Sequence, residues 1–582
     1  MTNHLRPALV TLEAARRLPR LALLLLCAAY VLPGLFGRDP WRGADLQAFG
    51  QMLAMAEGRS PWLPPSLGGV ASGAALLPHW VGAMAIRAGQ PWLDPALAAR
   101  LPFALMLVLT LVAVWYAAYH LARGDAAQPL PLAFGGEAAP QDYARAMADG
   151  ALLALVATLG LLQLGHETTP ELAQLAAVAC LQWALAAAPR RGLLPRIGLL
   201  LALPALAACG APAMALALAG LALLWSLWRQ RQGEPRLWPW LAGAMALAAA
   251  VAWPTHSWAW RVAPSVDPLQ FLRLLAWFLW PAGVLSLWAL WRWRRHLDQP
   301  HMAVPLMLLA VALIACVGMG GSDRALMLGL PGVATLAVFA LPTLQRGTAA
   351  AIDWFSVFFF SLCALSIWVL YLSMQTGVPA QPAANIQRLA PGFVAPWSTT
   401  RLLLAAAGSL AWLWLVRWRT GRHRQALWKS LVLPAGGVAL CWLLLMTLWL
   451  PLLDYGRSNR PLVQRLLRHV PGPGCVAAPQ APSSLVAALE YHGRRVVDAT
   501  ADAASKPGGC AVLMLVQRGQ AGSAVQQAAL EAGWVWLAQE RRPTERNEWT
   551  VVLRRGTASV PDSADAPVST PATPPAASAS GR

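Results

Sequence analysis

Long apolar runs, separated by short arginine-rich or Gly/Pro-rich breaks, set the pattern of this chain. Residues 21–35, 101–118 and 430–450 are nearly free of charge. Each approximates the 17–25 residues that a helix needs to cross a hydrocarbon layer. Such runs recur along most of the chain, which excludes a large soluble protein with a few buried helices. The pattern predicts thirteen spans: 20–36, 101–121, 147–164, 171–188, 193–209, 211–228, 237–253, 271–291, 303–318, 325–342, 354–374, 401–416 and 429–451.

Two shorter stretches read differently. In 45–57, Leu46, Phe49, Leu53 and Ala56 share one helical face. Residues 73–87 fall short of a span, and Leu77, Trp80 and Met84 sit at i, i+3 and i+7. Both fit amphipathic helices lying in the membrane interface. After Leu450 the pattern shortens. Strand-like pieces at 475–478, 495–498, 511–516, 534–538 and 550–553 alternate with helix-like ones at 461–469, 483–492 and 523–532. That is the signature of a small α/β domain. The expected layout is therefore an N-terminus at 1–19, an all-α polytopic membrane domain at 20–451 with an outer loop at 37–100, an α/β domain at 452–556, and an Ala/Pro/Ser/Thr-rich tail at 557–582, expected to be disordered.

Charge orients this layout. Only 12% of the 582 residues are charged, against about 25% in soluble domains, yet the net charge is +19. Lys429 and Lys506 are the only lysines. The arginines gather between apolar runs, at Arg16/Arg17/Arg20, Arg190/Arg191, Arg229/Arg231/Arg236, Arg292/Arg294/Arg295 and Arg417/Arg419/Arg422/Arg424. With thirteen spans and a cytoplasmic N-terminus, every one of these clusters falls on the cytoplasmic side, as the positive-inside bias requires. Treating 73–87 as a span would break the agreement. The basic balance therefore points to membrane lipids, with no nucleic acid implied. The odd span count places the C-terminal domain outside, in the periplasm of a bacterial inner membrane. The first apolar run lacks a small-x-small cleavage site and reads as a retained span.

Six of the eight cysteines (Cys27, Cys180, Cys209, Cys316, Cys363 and Cys441) lie in apolar runs as small core residues. Cys475 and Cys510 lie in the polar C-terminal part and could pair in an oxidising compartment. No spacing resembles a zinc site.

Chemistry requires ionisable groups converging near one membrane face. On the predicted outer side, Asp39 follows the first span, Asp45 lies in the next helix, and His166, Glu167 and Glu171 flank the loop before span four. A carboxylate there could act as a general base or help hold a divalent metal ion, with Asp39 and Glu171 at the outer ends of two spans as the pair to test. Each acid alone could equally be a solvated interfacial residue. Arg42, Arg261, Arg273 and Arg324 could receive a leaving phosphate, although an interfacial arginine often only reaches to headgroups. No glycine-rich phosphate loop and no dinucleotide pattern occurs. A lipid-linked donor needs neither.

The run Gly37-Arg38-Asp39-Pro40-Trp41-Arg42-Gly43-Ala44-Asp45 is followed by Met52-Leu53, Glu57-Gly58, Pro61-Trp62-Leu63-Pro64, Leu67-Gly68-Gly69 and Pro78-His79-Trp80. The order of these landmarks, with Glu171 opening span four, resembles the GT-C glycosyltransferases of family 39, the aminoarabinose–lipid A transferase and protein O-mannosyltransferase type. That resemblance implies a GT-C-like fold with thirteen spans and a periplasmic domain. It implies a polyprenyl-phosphate-linked sugar donor and a lipid A, glycan or protein acceptor. It further implies Asp39 as the catalytic carboxylate, Arg42 near the donor phosphate and Glu171 as a second acid. The chain departs from the family at Pro40, where a second acid is usual, and at 70–74, which replaces a Glu-Lys-Pro-Pro segment. Arg324 is the candidate to replace the missing lysine. A non-catalytic scaffold or lipid-binding protein of the same fold, or a transporter, is the alternative. A transporter would place its ionisable groups at mid-membrane.

Overall fold

The computed structural model describes residues 10–71, 75–130, 136–233, 236–253, 262, 266–420, 426–470, 472, 474–506, 508–518 and 521–556. The chain runs through α1 (Arg20–Val31) and α2 (Ala44–Ala56), a hairpin of β1 (Ser66–Leu67) and β2 (Val70–Ala71), and α3 (Leu76–Gly89). There follow α4 (Pro95–Ala122), α5 (Pro140–Ala157), α6 (Leu159–Leu164), α7 (Pro170–Ala187), α8 (Leu193–Ala208), α9 (Pro212–Gln230) and α10 (Trp238–Ala252). The second half adds α11 (Pro268–Phe278), α12 (Ala282–Arg292), α13 (Pro300–Gly318), α14 (Asp323–Met327), α15 (Leu330–Ala340), α16 (Arg346–Thr376), α17 (Ala380–Leu389), α18 (Thr399–Thr420), α19 (Lys429–Leu448) and α20 (Leu450–Arg457). Proline recurs in the first turn of these helices, where its missing N–H would have had no partner. At α4 the cap is completed by Asp94, whose Oδ2 accepts from the amides of Ala96 and Leu97 at 3.1 and 3.4 Å.

Each expected span is occupied by a helix or by consecutive helices. Among the described residues, six helices are long and apolar enough to cross a membrane alone, and shorter apolar helices fill much of the rest. The protein is a membrane protein. The span expected over 271–291 is not one rod: α11 and α12 bend by 96° at the break before Pro281. The span expected over 147–164 is likewise divided, at Thr158, between α5 and α6. The two breaks meet, and the Leu159 amide donates to the Trp280 carbonyl at 3.0 Å. A free backbone group inside a bilayer costs several kcal/mol, so one interruption supplies the partner that the other lacks.

The two predicted amphipathic helices are more deeply embedded than their patterns suggest. Helix α2 is buried almost all round, from Asp45 to Met55. On α3 the expected apolar face is reversed: Met84 is exposed, whereas Leu76, His79, Ala83 and Ile86 are buried. In a membrane protein apolar side chains also cover the lipid-facing side, so hydrophobicity alone does not identify the packed face.

Contacts divide the loops between two faces. On one, Arg17 pairs with Asp142 at 2.8 Å, Trp428 Nε1 donates to the Arg16 carbonyl at 2.7 Å, and Arg190 Nη1 donates to the His120 carbonyl at 2.8 Å. The loops after α1, before α7 and before α14 meet at the other.

The C-terminal part consists of α21 (Arg460–Leu466), β3 (Cys475–Ala477), α22 (Ser483–Tyr491), β4 (Val496–Asp498), β5 (Val512–Arg518), α23 (Ala521–Glu531), β6 (Trp534–Glu540) and β7 (Glu548–Arg555). Its sheet has the order β4-β3-β5-β7-β6, parallel at β4-β3-β5 and antiparallel beyond. Cys475 and Cys510 form a disulfide. This domain is seated on the membrane part. The Ala499 amide donates to the Gly68 carbonyl at 2.8 Å, and α22 packs on α2 so closely that a Cβ at Gly50 would collide with Ala487.

Gly50→Ala should therefore destabilise the protein by about 1–3 kcal/mol, because two helix backbones must separate. Gly220→Ala, in α9 with open space around it, should stabilise by roughly 0.5–1 kcal/mol. Thermal melting of the two variants against wild type checks the contrast, and limited proteolysis should show the C-terminal domain loosened only in Gly50→Ala.

Candidate active site

Between α1 and α2 the chain makes a tight turn that only glycine permits at its ends, with φ of 69° at Gly37 and 91° at Gly43. Inside it Arg38, Asp39, Trp41 and Arg42 are presented toward other elements. Asp45, in the first turn of α2, closes the turn from within: its Oδ2 accepts from the Trp41 amide at 3.0 Å. Its Oδ1 accepts from the Thr168 amide at 2.7 Å and the Thr168 hydroxyl at 2.6 Å. Arg38, 2% exposed, reaches Asp45 at 3.4 Å and donates to the His166 carbonyl at 2.7 Å. Burial alone would raise the Asp45 pKa. The positive charges of Arg38 and Arg100 and the two Thr168 hydrogen bonds outweigh it and hold the carboxyl below its ordinary range.

Beside this knot lies a second acid–arginine group. Arg324 Nη2 is 2.6 Å from Glu167 and its Nη1 is 3.4 Å from Glu171, so one guanidinium from α14 joins both acids before and within α7. Gln163 donates to Glu167 at 2.8 Å and accepts from Arg457 at 2.6 Å. Burial, and next the charge of Asp45, raise the Glu167 pKa against the pull of Arg324.

The third group comes from the chain after the last long helix. Asp454 accepts from Trp41 Nε1 at 2.8 Å and from the Asp39 amide at 3.4 Å. Burial, with a smaller contribution from the Asp39 charge, pushes its pKa up to about 6. Arg460 Nη2 lies 2.5 Å from Asp39 Oδ1. Arg42 pairs with Glu545 at 3.2 Å, and its amide donates to the Arg457 carbonyl at 2.8 Å. Arg38 and Arg457 both lie over the Trp41 ring, at 4.7 and 4.9 Å from its centroid.

The structure thus gathers Asp39, Arg42, Asp45, His166, Glu167, Glu171 and Arg324 into one polar region built from three loops. Asp39 and Glu171 are engaged by different arginines, Arg460 and Arg324. Among the described residues no group of three or more His, Cys, Asp or Glu side chains is placed to hold a metal. His166 is a tie between elements, its ring nitrogens 2.7 Å from the Leu162 carbonyl and 2.8 Å from the Tyr30 carbonyl. Burial lowers its pKa to about 4 despite these two acceptors. His79, buried in α3 and likewise lowered to about 4 by burial, has no hydrogen bond or ion pair with the cluster. Arg273 is exposed on α11 and does not join it. Arg261 lies outside the described residues. Asp454, Arg457, Arg460 and Glu545 are additions that the sequence reading passed over; the visible signal was an Asp-Tyr-Gly-Arg run directly after the last apolar stretch, level with Asp39.

No protein-family model and no curated protein sequence matches the chain. Solved structures do. ArnT from Cupriavidus metallidurans bound to undecaprenyl phosphate superposes with a TM-score of 0.59 at 14% identity, covering 92% of this chain and 96% of that one. The fold is that of ArnT. The apo state of the same enzyme gives 0.58 at 15% identity over the same shares. An apo oligosaccharyltransferase from Archaeoglobus fulgidus gives 0.42 at 11% identity over 93% of this chain and 74% of that one. The expected GT-C fold, helical with a small C-terminal sheet, is thus the observed one.

Two measurements test the electrostatics laid over this ArnT fold. Asp45→Ala should cost about 3–5 kcal/mol, since it leaves Arg38 buried without its carboxylate; a melting temperature near wild type would refute the pairing. Asp454 has a raised folded-state pKa, so its stabilising contribution is present below the ordinary value near 3.8 and is lost as pH rises through about 6. Asp454→Asn should accordingly match wild type at pH 4 and melt higher at pH 8.

Proposed function

We propose that the protein is a membrane glycosyltransferase that moves a sugar from a polyprenyl (undecaprenyl) phosphate to a lipid A, glycan or protein acceptor, at the periplasmic face of a bacterial inner membrane. The observation that carries this reading is the junction of the polar cluster with an apolar groove. The groove, of about 400 Å³, is lined by Leu159, Leu162, Phe359, Phe360, Cys441 and Leu445 among others. Leu162 and Leu445 also pack against the cluster of Trp41, Trp442, Met446 and Leu450 beneath the Asp39 turn. A ligand with an anionic head and a long hydrocarbon chain matches that combination. The fold match with a structure holding undecaprenyl phosphate supports the same ligand class.

In this reading the acceptor hydroxyl or amine attacks the anomeric carbon while the bond from that carbon to the phosphate oxygen breaks. Asp39 takes the acceptor proton, and the departing phosphate keeps the bonding electron pair. Arg42 stabilises the charge that develops on it. Arg324 holds Glu167 and Glu171 and sets the second acidic wall, while Asp45, Arg38 and Thr168 fix the turn that carries Asp39. The acids lie where loops meet at one face, which favours transfer chemistry there over a conduction path through mid-membrane.

The test is turnover by purified protein given radiolabelled polyprenyl-phosphate sugars with lipid A, glycan and protein acceptors. Asp39→Asn should lose at least about 100-fold in rate while still binding undecaprenyl phosphate. Equal turnover in wild type and Asp39→Asn would remove Asp39 from the chemistry. Binding with no turnover from any donor would support the scaffold reading.

A further inference from the structure

Asp39 and Arg42 are both engaged by the C-terminal domain, but the two contacts differ in kind. Arg460 brings a cation to the acid, whereas Glu545 brings a carboxylate to the cation assigned to phosphate. Glu545 does not need Arg42 to stay in place. Its Oε2 also accepts from Arg542 Nη2 at 2.9 Å, and its Oε1 accepts from the amides of Arg546 and Asn547 at 3.2 and 3.5 Å. The Arg542 residue is 5% exposed, so this anchor is fixed. The turn is further tied by Thr544, whose hydroxyl donates to the Gly456 carbonyl at 3.3 Å.

Arg42 is the more exposed partner. Its side chain is 49% exposed, and its contact with Glu545 is a single one. Exposed pairs of this type are weak. A phosphate monoester carries more charge and can offer a guanidinium two parallel hydrogen bonds. The Glu545 carboxylate therefore occupies Arg42 in the manner of a phosphate oxygen, yet holds it loosely enough to be exchanged. Slight burial would raise the Glu545 pKa, but the Asn547 and Arg546 amides and Arg542 hold it below its ordinary value, so the carboxylate keeps its charge at neutral pH.

We propose that Glu545 is a tethered competitor for the anionic ligand at Arg42, through which the C-terminal domain sets how tightly the site takes a lipid phosphate. This rests on the assignment of Arg42 to phosphate under the proposed function. On ligand entry the guanidinium leaves Glu545 for the phosphate, and Glu545 remains on Arg542 and the two amides.

The experiment measures binding of undecaprenyl phosphate, and of neutral undecaprenol as control, to the full-length protein in lipid nanodiscs. Glu545→Gln should bind undecaprenyl phosphate roughly two- to five-fold tighter than wild type, with undecaprenol unchanged. In an Arg42→Gln background the Glu545→Gln change should have no effect, because the competitor acts only through that guanidinium. The proposal is overturned if Glu545→Gln binds the phosphate no tighter than wild type, or if its gain persists without Arg42, as a loosened domain would produce. If wild type does not prefer undecaprenyl phosphate to undecaprenol, the phosphate-site assignment itself fails and this inference falls with it.

Discussion

The buried carboxylate of Asp45 is the constraint on which the polar face is built. It takes four hydrogen-bonding or ionic contacts, from Trp41, Thr168 twice and Arg38, and thereby fastens the turn after α1 to the loop before α7. A charge in that position is costly unless compensated, so the two loops are fixed relative to each other more firmly than apolar packing alone would fix them. The consequence reaches outward. Asp39 lies in the turn that Asp45 closes, and Arg38 and Arg457 both lie over the Trp41 ring.

Around this knot the site assembles from parts far apart in sequence. Helix α14 contributes Arg324, the end of α6 contributes Gln163, and the chain from 454 onward contributes Asp454, Arg457 and Arg460. The chain from 454 onward thus forms part of the site's wall. Its attachment is close throughout: α22 lies on α2 at Gly50, and the β1–β2 hairpin is bonded to the segment after β4.

Much of this was legible from residue pattern. The apolar runs gave the helices, and the short alternations after Leu450 gave five strands close to their observed bounds. The arginine clusters were read as marking one face, because charge is expensive in hydrocarbon and so marks where a span ends, and the contacts of Arg16, Arg17 and Arg190 join loops on one side of the helices. Asp39, Glu167, Glu171 and Arg324 were singled out by asking which ionisable groups lie at span ends on one side. What pattern could not supply was pairing. Glu545 is some five hundred positions from Arg42, and nothing local to either predicts their meeting. Helix α3 misled for a related reason: Met84 faces outward and His79 inward, the reverse of what a water-facing helix would show. The bend of α11 and α12 was missed because composition measures apolarity over a window and is blind to a change of direction within it.

That bend carries a further implication. Because the Leu159 amide and the Trp280 carbonyl satisfy each other, neither interruption is an independent feature of its own span. Separating the two breaks would leave both groups unpaired in hydrocarbon, so the break after α5 and the bend before α12 are coupled. Leu159 also lines the apolar groove. Any rearrangement that widens this groove at Leu159 must therefore carry the α11–α12 bend with it.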